Sequence, residues 1–162
     1  MTHSREPGFV ELSVDGSMVL ETDTVGGGGV VQDGDGRWIS RFAVAFGVGD
    51  AFLAELRALY EGLRHVWELG FRKVVCFTDC VELVDVVTGA QNVCHFWHRD
   101  VIMQVREMLQ SSWQISVRHI SRERNMVADA LAKFTTRTRC SWRVWRLPPS
   151  MVVPLLCQDV LA

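Results

Sequence analysis

HISRERNMVADALAK, residues 119–133, joins the end of a strand to a loop and a helix. The stretch just before it, WQISVRHI, places Ile115 and Val117 two residues apart, which is the spacing of a strand. SRERN is polar and indicates a loop. MVADALAKFTTR then carries apolar residues at helical spacing. The sequence therefore predicts that His119 ends a strand and that Asp129 lies near the start of the last helix.

Three strands are predicted at the beginning of the chain. FVELSVDGS alternates apolar and polar residues, and Asp-Gly-Ser is expected to end this first strand at Asp15. A run of four glycines, residues 26–29, leads into VVQDGDGRWISRFAVAFG. The DGDG between two apolar stretches is typical of a hairpin turn. These signals together predict a three-stranded meander.

The middle of the chain alternates between helices and strands. AFLAELRALYEGLRHVWELGF has the apolar spacing of a long helix that ends at Gly70. KVVCFTD is apolar on both faces, as in a central strand covered on both sides. VELVDVVTG and DVIMQVREMLQ are predicted helices, and QNVCHFWHR is left unassigned. The order βββ-α-β-α-α-β-α predicts an α/β fold, a five-stranded mixed sheet with helices on both faces.

Four acidic residues fall at the ends of these elements. Asp15 and Asp79 follow the first and fourth strands, while Glu55 and Asp129 lie near the starts of two helices. If the two strands are parallel neighbours, both aspartates emerge at the carboxyl edge of the sheet, where ligands bind in open α/β sheets. Taken singly, each acid is equally explained as a turn former or as a favourable charge near a helix N-terminus.

A cluster of four carboxylates requires positive charge, because neighbouring like charges raise one another's pKa. Mg2+ prefers oxygen ligands and often completes its shell with substrate phosphate. Two such ions about 3.5–4 Å apart stabilise the attacking and leaving oxygens of a phosphoryl displacement. The acid set thus predicts two Mg2+ ions, which Mn2+ can replace.

The chain resembles type 1 ribonuclease H, and most closely the domain of plant retroelement-like proteins. The segments that carry the resemblance run in the family's order from VDGS through AEL and TDC to the stretch quoted above. The resemblance implies that Asp15, Glu55, Asp79 and Asp129 bind the metal ions and that His119 assists proton transfer or product departure. It also implies hydrolysis of the RNA strand of RNA–DNA hybrids, with contacts to 2′-hydroxyl groups.

Contacts to nucleic acid are expected from a small set of residues around these motifs. The basic residues around Asp129 are the expected place for phosphate contacts; they are Arg118, Arg122, Arg124 and Lys133. The resemblance also implies contacts from residues near the glycine run and the start of the first helix. From residue 118 to residue 146 eight Arg/Lys stand against two acids, a balance of +6 that leaves −8 on the rest of the chain. The residues assigned to nucleic acid are Gly16, Ser17, Arg122, Arg124 and Asn125.

Some features depart from the family pattern. Cys80 stands where the family usually has Ser, and Ala51 stands where it commonly has Asn. The basic protrusion of bacterial members has only a poor counterpart, HFWHRD at residues 95–100. Because phosphate neutralisation supplies much of such binding, these departures predict low hybrid affinity. They leave open a second function, a weakly active or inactive nucleic-acid-binding module derived from a retroelement, and a related exonuclease is a third alternative.

The remaining residues of interest favour structural roles. Five scattered cysteines are not a disulfide framework and are expected as free thiols. Cys76 and Cys80 are interpreted as packing residues, and His95 and His98 as structural or surface residues. Three tryptophans that are able to stack on bases are more often packing anchors; they are Trp113, Trp142 and Trp145.

Length and composition complete the expectations. With 162 residues, the chain is predicted to form one domain over residues 9–140, with tails at 1–8 and 141–162. The first residues lack the apolar core of a secretory signal, and no apolar run is long enough to span a bilayer. We expect an intracellular monomer, in the nucleus or cytoplasm, that binds nucleic acid but no membrane. Any reverse-transcriptase partner has to be supplied by another chain.

Overall fold

A six-stranded mixed sheet forms the centre of the molecule in the computed structural model. The structure describes residues 8–89, 98–138 and 141–145. The strands lie in the order β5-β4-β1-β2-β3-β6. Their bounds are β1 Val10–Val19, β2 Thr24–Gln32, β3 Trp38–Val48, β4 Lys73–Thr78, β5 Gln114–His119 and β6 Arg143–Trp145. The helices are α1 Ala51–Glu68, α2 Val81–Val87, α3 Arg99–Leu109 and α4 Met126–Thr138, and a 3-10 turn spans Arg122–Arg124.

The prediction of five strands was wrong by one, because residues 143–145 add β6 to the edge of the sheet. Trp145 pairs with Arg41 of β3, antiparallel. Its indole also packs at a right angle against Phe134 of α4, with ring centroids 5.5 Å apart. A strand of three residues is too short to show an alternating pattern. Residues 143–145 had been expected to belong to the C-terminal tail, 141–162. Residues 146–162 of that tail lie outside the described part of the chain.

The first strand is longer than its sequence suggests. β1 continues through Asp-Gly-Ser to Val19, so Asp15 lies inside the strand and does not end it. The strand remains extended because β2 pairs with it along its whole length, from Glu11↔Gln32 to Val19↔Thr24. Hydrogen bonding to a long antiparallel neighbour outweighs the local turn preference of Asp-Gly. The predicted DGDG hairpin between β2 and β3 is confirmed.

The four glycines of β2 are buried between the helices on the two faces of the sheet. A Cβ on Gly28 would lie 2.5 Å from the Cβ of Leu131 in α4, and a Cβ on Gly27 would lie 2.7 Å from that of Ala58 in α1. The absence of side chains therefore allows both helices to approach the sheet closely. Because these glycines are covered, they are not available for the contacts with nucleic acid that were expected near them.

The larger core lies between the sheet and α1. Leu56, Leu59 and Leu63 of α1 are fully buried against β1 and its neighbours. The helix begins after Asp50, whose carboxylate accepts a hydrogen bond of 2.7 Å from the Leu53 N–H. A smaller core around Leu131 lies under α4 on the opposite face. None of the helices in the described ranges is both long and apolar enough to cross a membrane.

The packing residues behave as predicted where the structure describes them. Cys76 is buried in the main core and Cys80 is half-buried against it, and both are free thiols. The other cysteines, at 94, 140 and 157, lie outside the described residues. Trp113 donates from Nε1 to the Met108 carbonyl, and Trp142 stacks on Phe42 with centroids 5.5 Å apart. The interpretation of the tryptophans as packing anchors is confirmed.

Candidate functional site

Two of the predicted acids are brought together by the parallel pairing of β1 and β4. The register of these strands ends at Ser13↔Phe77. Asp15 and Asp79 each follow two residues later, so they stand opposite one another at the carboxyl edge of β4. The prediction that both carboxylates emerge at the same edge of the sheet is confirmed.

Glu55 reaches the same point because α1 packs unusually close to β1. A Cβ on Gly16 would lie 2.5 Å from the backbone carbon of Ala54 and 2.6 Å from the backbone nitrogen of Glu55. Glycine is the residue that fits here without moving the helix. The Gly16 N–H donates to Oε1 of Glu55 at 2.5 Å and to the Asp15 carboxylate at 3.0 Å. The glycine of the VDGS motif therefore positions two of the acids.

Three of the four acids form a compact cluster. One carboxylate oxygen from each of Asp15, Glu55 and Asp79 lies within 4.8 Å of the others. Asp129 stands beside this cluster and is not a member of it. Its Oδ2 lies 3.0 Å from Nζ of Lys133, one turn further along α4. The structure therefore brings the predicted set together at one edge, with its fourth carboxylate held by a lysine.

Burial and mutual repulsion make this cluster electrostatically unfavourable. Desolvation by burial, followed by the charges of Glu55, Asp79 and Asp129, raises the pKa of Asp15 to about 10. Desolvation also raises the pKa of Glu55 to about 7, although hydrogen bonds to Asp15 and to the Gly16 N–H work in the opposite direction. At neutral pH the metal-free cluster therefore holds a proton. A metal cation in place of this proton would allow all the carboxylates to ionise.

Asn125 connects the acids from within the protein. It is buried, with 2% of its surface exposed. Its side-chain amide donates to the Val14 carbonyl at 2.9 Å and lies 3.5 Å from Oδ2 of Asp79. Its backbone carbonyl accepts from the Asp129 N–H at 3.1 Å. Asn125 was expected to contact nucleic acid, but its side chain is buried and contacts β1 and Asp79 instead.

The other predicted site residues surround the acids. His119 is exposed at the end of β5 and pairs with Thr78, the residue before Asp79. Arg122 is exposed in the 3-10 turn, and its charge lowers the pKa of Glu55. Arg124 is exposed in the same turn. The structure thus places His119 and Arg122 near the edge where the carboxylates meet, with Arg124 in the same turn as Arg122.

A cavity of about 210 Å3 opens next to the cluster. Gly16 and Ser17 of β1 line one side, and Ala51 of α1 lines the other, together with Glu55. Four further residues line this cavity and were not predicted; they are Met18, Phe52, Cys80 and Glu82. They come from separate parts of the chain that meet only in the folded protein, so no local sequence pattern marks them.

A second unpredicted contact fixes the N-terminus of α1. Nε2 of His98 lies 2.9 Å from Oδ2 of Asp50, the N-cap residue of α1. The imidazole also stacks on Phe52, with ring centroids 6.2 Å apart. His98 therefore ties the start of α3 to the helix that carries Glu55, which confirms a structural role for it. His95 lies outside the described residues.

Comparison with known proteins identifies the family to which the chain belongs. The family model described as reverse transcriptase-like matches residues 13–135, which contain all four acids. The chain belongs to the reverse transcriptase-like family. A curated Arabidopsis thaliana protein named "Putative ribonuclease H protein" is 27% identical over 95% of the chain. The chain spans about a quarter of the length of that relative.

Solved structures show that the fold of this family member is that of type 1 ribonuclease H. RNase H1 from the archaeon Halobacterium salinarum superimposes with a TM-score of 0.76 and is 25% identical, covering 80% of this chain and 98% of the archaeal one. The N-terminal RNase H domain of a Mycobacterium tuberculosis protein has a TM-score of 0.75 at 24% identity, covering 80% and 94% of the two chains. The RNase H1 named LC11 matches with a TM-score of 0.74 at 19% identity, covering 80% and 98%.

Proposed function

We propose that this chain hydrolyses the RNA strand of RNA–DNA hybrids at a divalent-metal centre held by Asp15, Glu55, Asp79 and Asp129. The observation that carries the proposal is the cluster of three carboxylates with oxygens within 4.8 Å of one another. Burial, together with repulsion between the carboxylates, raises the pKa of Asp15 to about 10, so the metal-free cluster is unfavourable when fully ionised. Support also comes from a relative named as a ribonuclease H and from a matching structure solved with an RNA/DNA hybrid.

The donor set fits a hard divalent cation. All the ligand atoms are carboxylate oxygens, which Mg2+ and Mn2+ prefer, and no softer sulfur or imidazole ligand belongs to the described cluster. A pair of such ions supplies an activated water and stabilises negative charge on the phosphate oxygens. Asp15, Glu55 and Asp79 would hold the ions, each through a carboxylate oxygen.

The protein's own residues have distinct tasks in this proposal. The buried Asn125 and the Gly16 backbone hold the carboxylates in place, so the site needs little rearrangement. Arg122 and Arg124 supply exposed positive charge for the phosphate backbone. The exposed His119 at the end of β5 has the proposed task of moving a proton to the departing 3′-oxygen. Gly16 and Ser17 line the cavity in which the RNA strand would lie.

The test is cleavage of a labelled RNA–DNA hybrid in the presence of Mg2+. We expect cleavage by the wild type and a loss of about 100-fold or more for Asp79→Asn, because a lost metal ligand removes several kcal/mol of transition-state stabilisation. Asp35→Asn is the matched control, since Asp35 is exposed in the turn between β2 and β3 at the opposite edge of the sheet. Equal rates for the wild type and Asp79→Asn contradict the proposal.

A second candidate function is hybrid binding without turnover. One observation favours it: Asp129 lies outside the compact cluster of three carboxylates and is paired with Lys133. A metal site short of one ligand weakens turnover, whereas the exposed Arg122 and Arg124 can still contact phosphate. Binding of the hybrid that persists in Asp79→Asn, together with no cleavage by the wild type, supports this function over the first. Cleavage of the hybrid by the wild type but not by Asp79→Asn excludes this second function.

A further inference from the structure

Asp129 is held by an intramolecular cation. Nζ of Lys133 lies 3.0 Å from Oδ2 of Asp129, which is the distance of a direct ion pair. The two residues are one helical turn apart on α4, so the backbone keeps them within reach of each other. Asp129 is at the same time the one predicted metal ligand outside the compact cluster. The ammonium group of Lys133 thus binds the carboxylate of Asp129, which is the one predicted ligand missing from the compact cluster.

We propose that Lys133 competes with a divalent ion for Asp129, and that a phosphate group of the nucleic acid draws Lys133 away. The fourth carboxylate would then join the metal site more readily when substrate is bound than with the metal ion alone. This inference rests on the proposed function and adds a regulating residue to it. Lys133 is a positioning residue here, because it acts through Asp129.

The strength of the pair suits such a competition. The side chain of Lys133 is 66% exposed and that of Asp129 is 34% exposed. An exposed pair of this kind favours the bound form by about two- to five-fold, which a phosphodiester of a polyanionic backbone or a divalent cation can overcome. A lysine ammonium is compact, flexible and strongly hydrated, so it can exchange partners without rearranging the helix.

The surroundings indicate which ligand would take Lys133 away. The 3-10 turn with the exposed Arg122 and Arg124 directly precedes α4, and Arg122 is close enough to Glu55 to lower its pKa. A polyanion attracted to this turn approaches the same edge of the sheet as Asp129. Transfer of Lys133 to a phosphate removes one positive charge from Asp129 and leaves its Oδ2 open to an ion.

The first experiment measures Mn2+ affinity of the full chain without nucleic acid, by calorimetry. We expect Lys133→Met to bind Mn2+ about two- to five-fold more tightly than the wild type, since the competing ammonium is gone. Lys133→Arg should remain close to the wild type because arginine can keep the pair. Lys73→Met is the matched control. Lys73 begins β4 and Asp79 follows its last residue, so about 20 Å of strand separates this lysine from the site.

A second experiment observes Lys133 directly, because Lys73 and Lys133 are the only lysines in the chain. With 13C-labelled lysine, the Cε signal of Lys133 should shift when Mg2+ is added, and that of Lys73 should stay in place. Lys133→Met assigns the two signals. A Lys133 signal that does not respond to Mg2+ contradicts the competition.

The outcomes separate this inference from the proposed function. If the wild type binds no Mn2+ and Asp79→Asn behaves identically, the metal centre itself is disproved and the role of Lys133 falls with it. If Asp79→Asn loses Mn2+ binding but Lys133→Met equals the wild type, the metal centre stands and the competition is disproved. An equal gain in Lys73→Met would show a net-charge effect and would also overturn the inference.

Discussion

Asp15→Asn should stabilise the metal-free protein while it destroys the metal site. Asp15 is 5% exposed and faces the charges of Glu55, Asp79 and Asp129. Asparagine has nearly the same shape and is neutral at every pH. Its carbonyl can still accept from the Gly16 N–H, as Asp15 does at 3.0 Å. The substitution therefore removes the cost of burying a titratable carboxyl group and little else.

The size of the effect follows from the shifted pKa. The pKa of Asp15 rises from 3.8 to about 10 on folding, so at pH 7 the folded form is protonated and the unfolded form is ionised. Retaining that proton over the roughly three pH units between 3.8 and 7 costs about 4 kcal/mol at 1.36 kcal/mol per unit. Rearrangement and water entry reduce the cost, and we expect a gain of about 2–4 kcal/mol at pH 7. For a chain of this size the melting temperature should rise by about 6–15 °C.

The sign of the pH dependence provides the decisive assay. A carboxyl group whose pKa is raised by folding leaves stability intact below its unfolded pKa, near 4, and lowers it progressively as the pH rises towards the folded value. Thermal unfolding in EDTA, followed by circular dichroism from pH 4 to pH 9, should therefore show the wild type falling behind Asp15→Asn as the pH increases. Added Mn2+ should restore the wild type at neutral pH, because a ligand that binds the folded state stabilises it, and should restore the variant much less.

Two results would refute this reasoning. One is a difference between wild type and Asp15→Asn that does not widen between pH 4 and pH 8. The other is an equal gain for Asp35→Asn, which removes an exposed carboxylate from the β2–β3 turn. The first outcome means that Asp15 is ionised in the folded protein at little cost, and the second means that the gain comes from overall charge.

Three further predictions concern other parts of the site and its support. Gly16→Ala should lower the free energy of unfolding by about 1–3 kcal/mol in urea titrations, because the new Cβ meets the backbone of α1, and it should reduce hybrid cleavage by displacing Glu55; unchanged stability and cleavage would contradict the close packing. Asn125→Ala should cost about 1–3 kcal/mol in the same titration, since the Val14 carbonyl loses its buried donor; a neutral effect would argue against the link. His65 should titrate below 6.5 by NMR, because burial lowers its pKa and its protonation therefore destabilises the protein as the pH falls; a midpoint above 6.5 would show that the ring is solvated.

Much of the fold was predictable because it depends on local patterns. The βββ-α-β-α-α-β-α order, the DGDG turn and the long α1 follow from apolar periodicity and turn chemistry. β6 was not predictable, because its three residues are held by pairing with β3 and by Trp145 against Phe134. The length of β1 was also underestimated, since pairing with β2 overrides the local turn preference of Asp15 and Gly16.

For the candidate site, the sequence by itself determined which acids are present and which elements carry them. Local patterns placed Glu55, Asp79 and Asp129 near element ends, but Asp15 lies inside β1, and the family resemblance was needed to join the four acids into a set. Distances between such ends depend on how closely the elements pack, which no local pattern encodes. Only the tertiary structure decided that oxygens of three carboxylates lie within 4.8 Å of one another and that Asp129 lies outside this cluster, paired with Lys133.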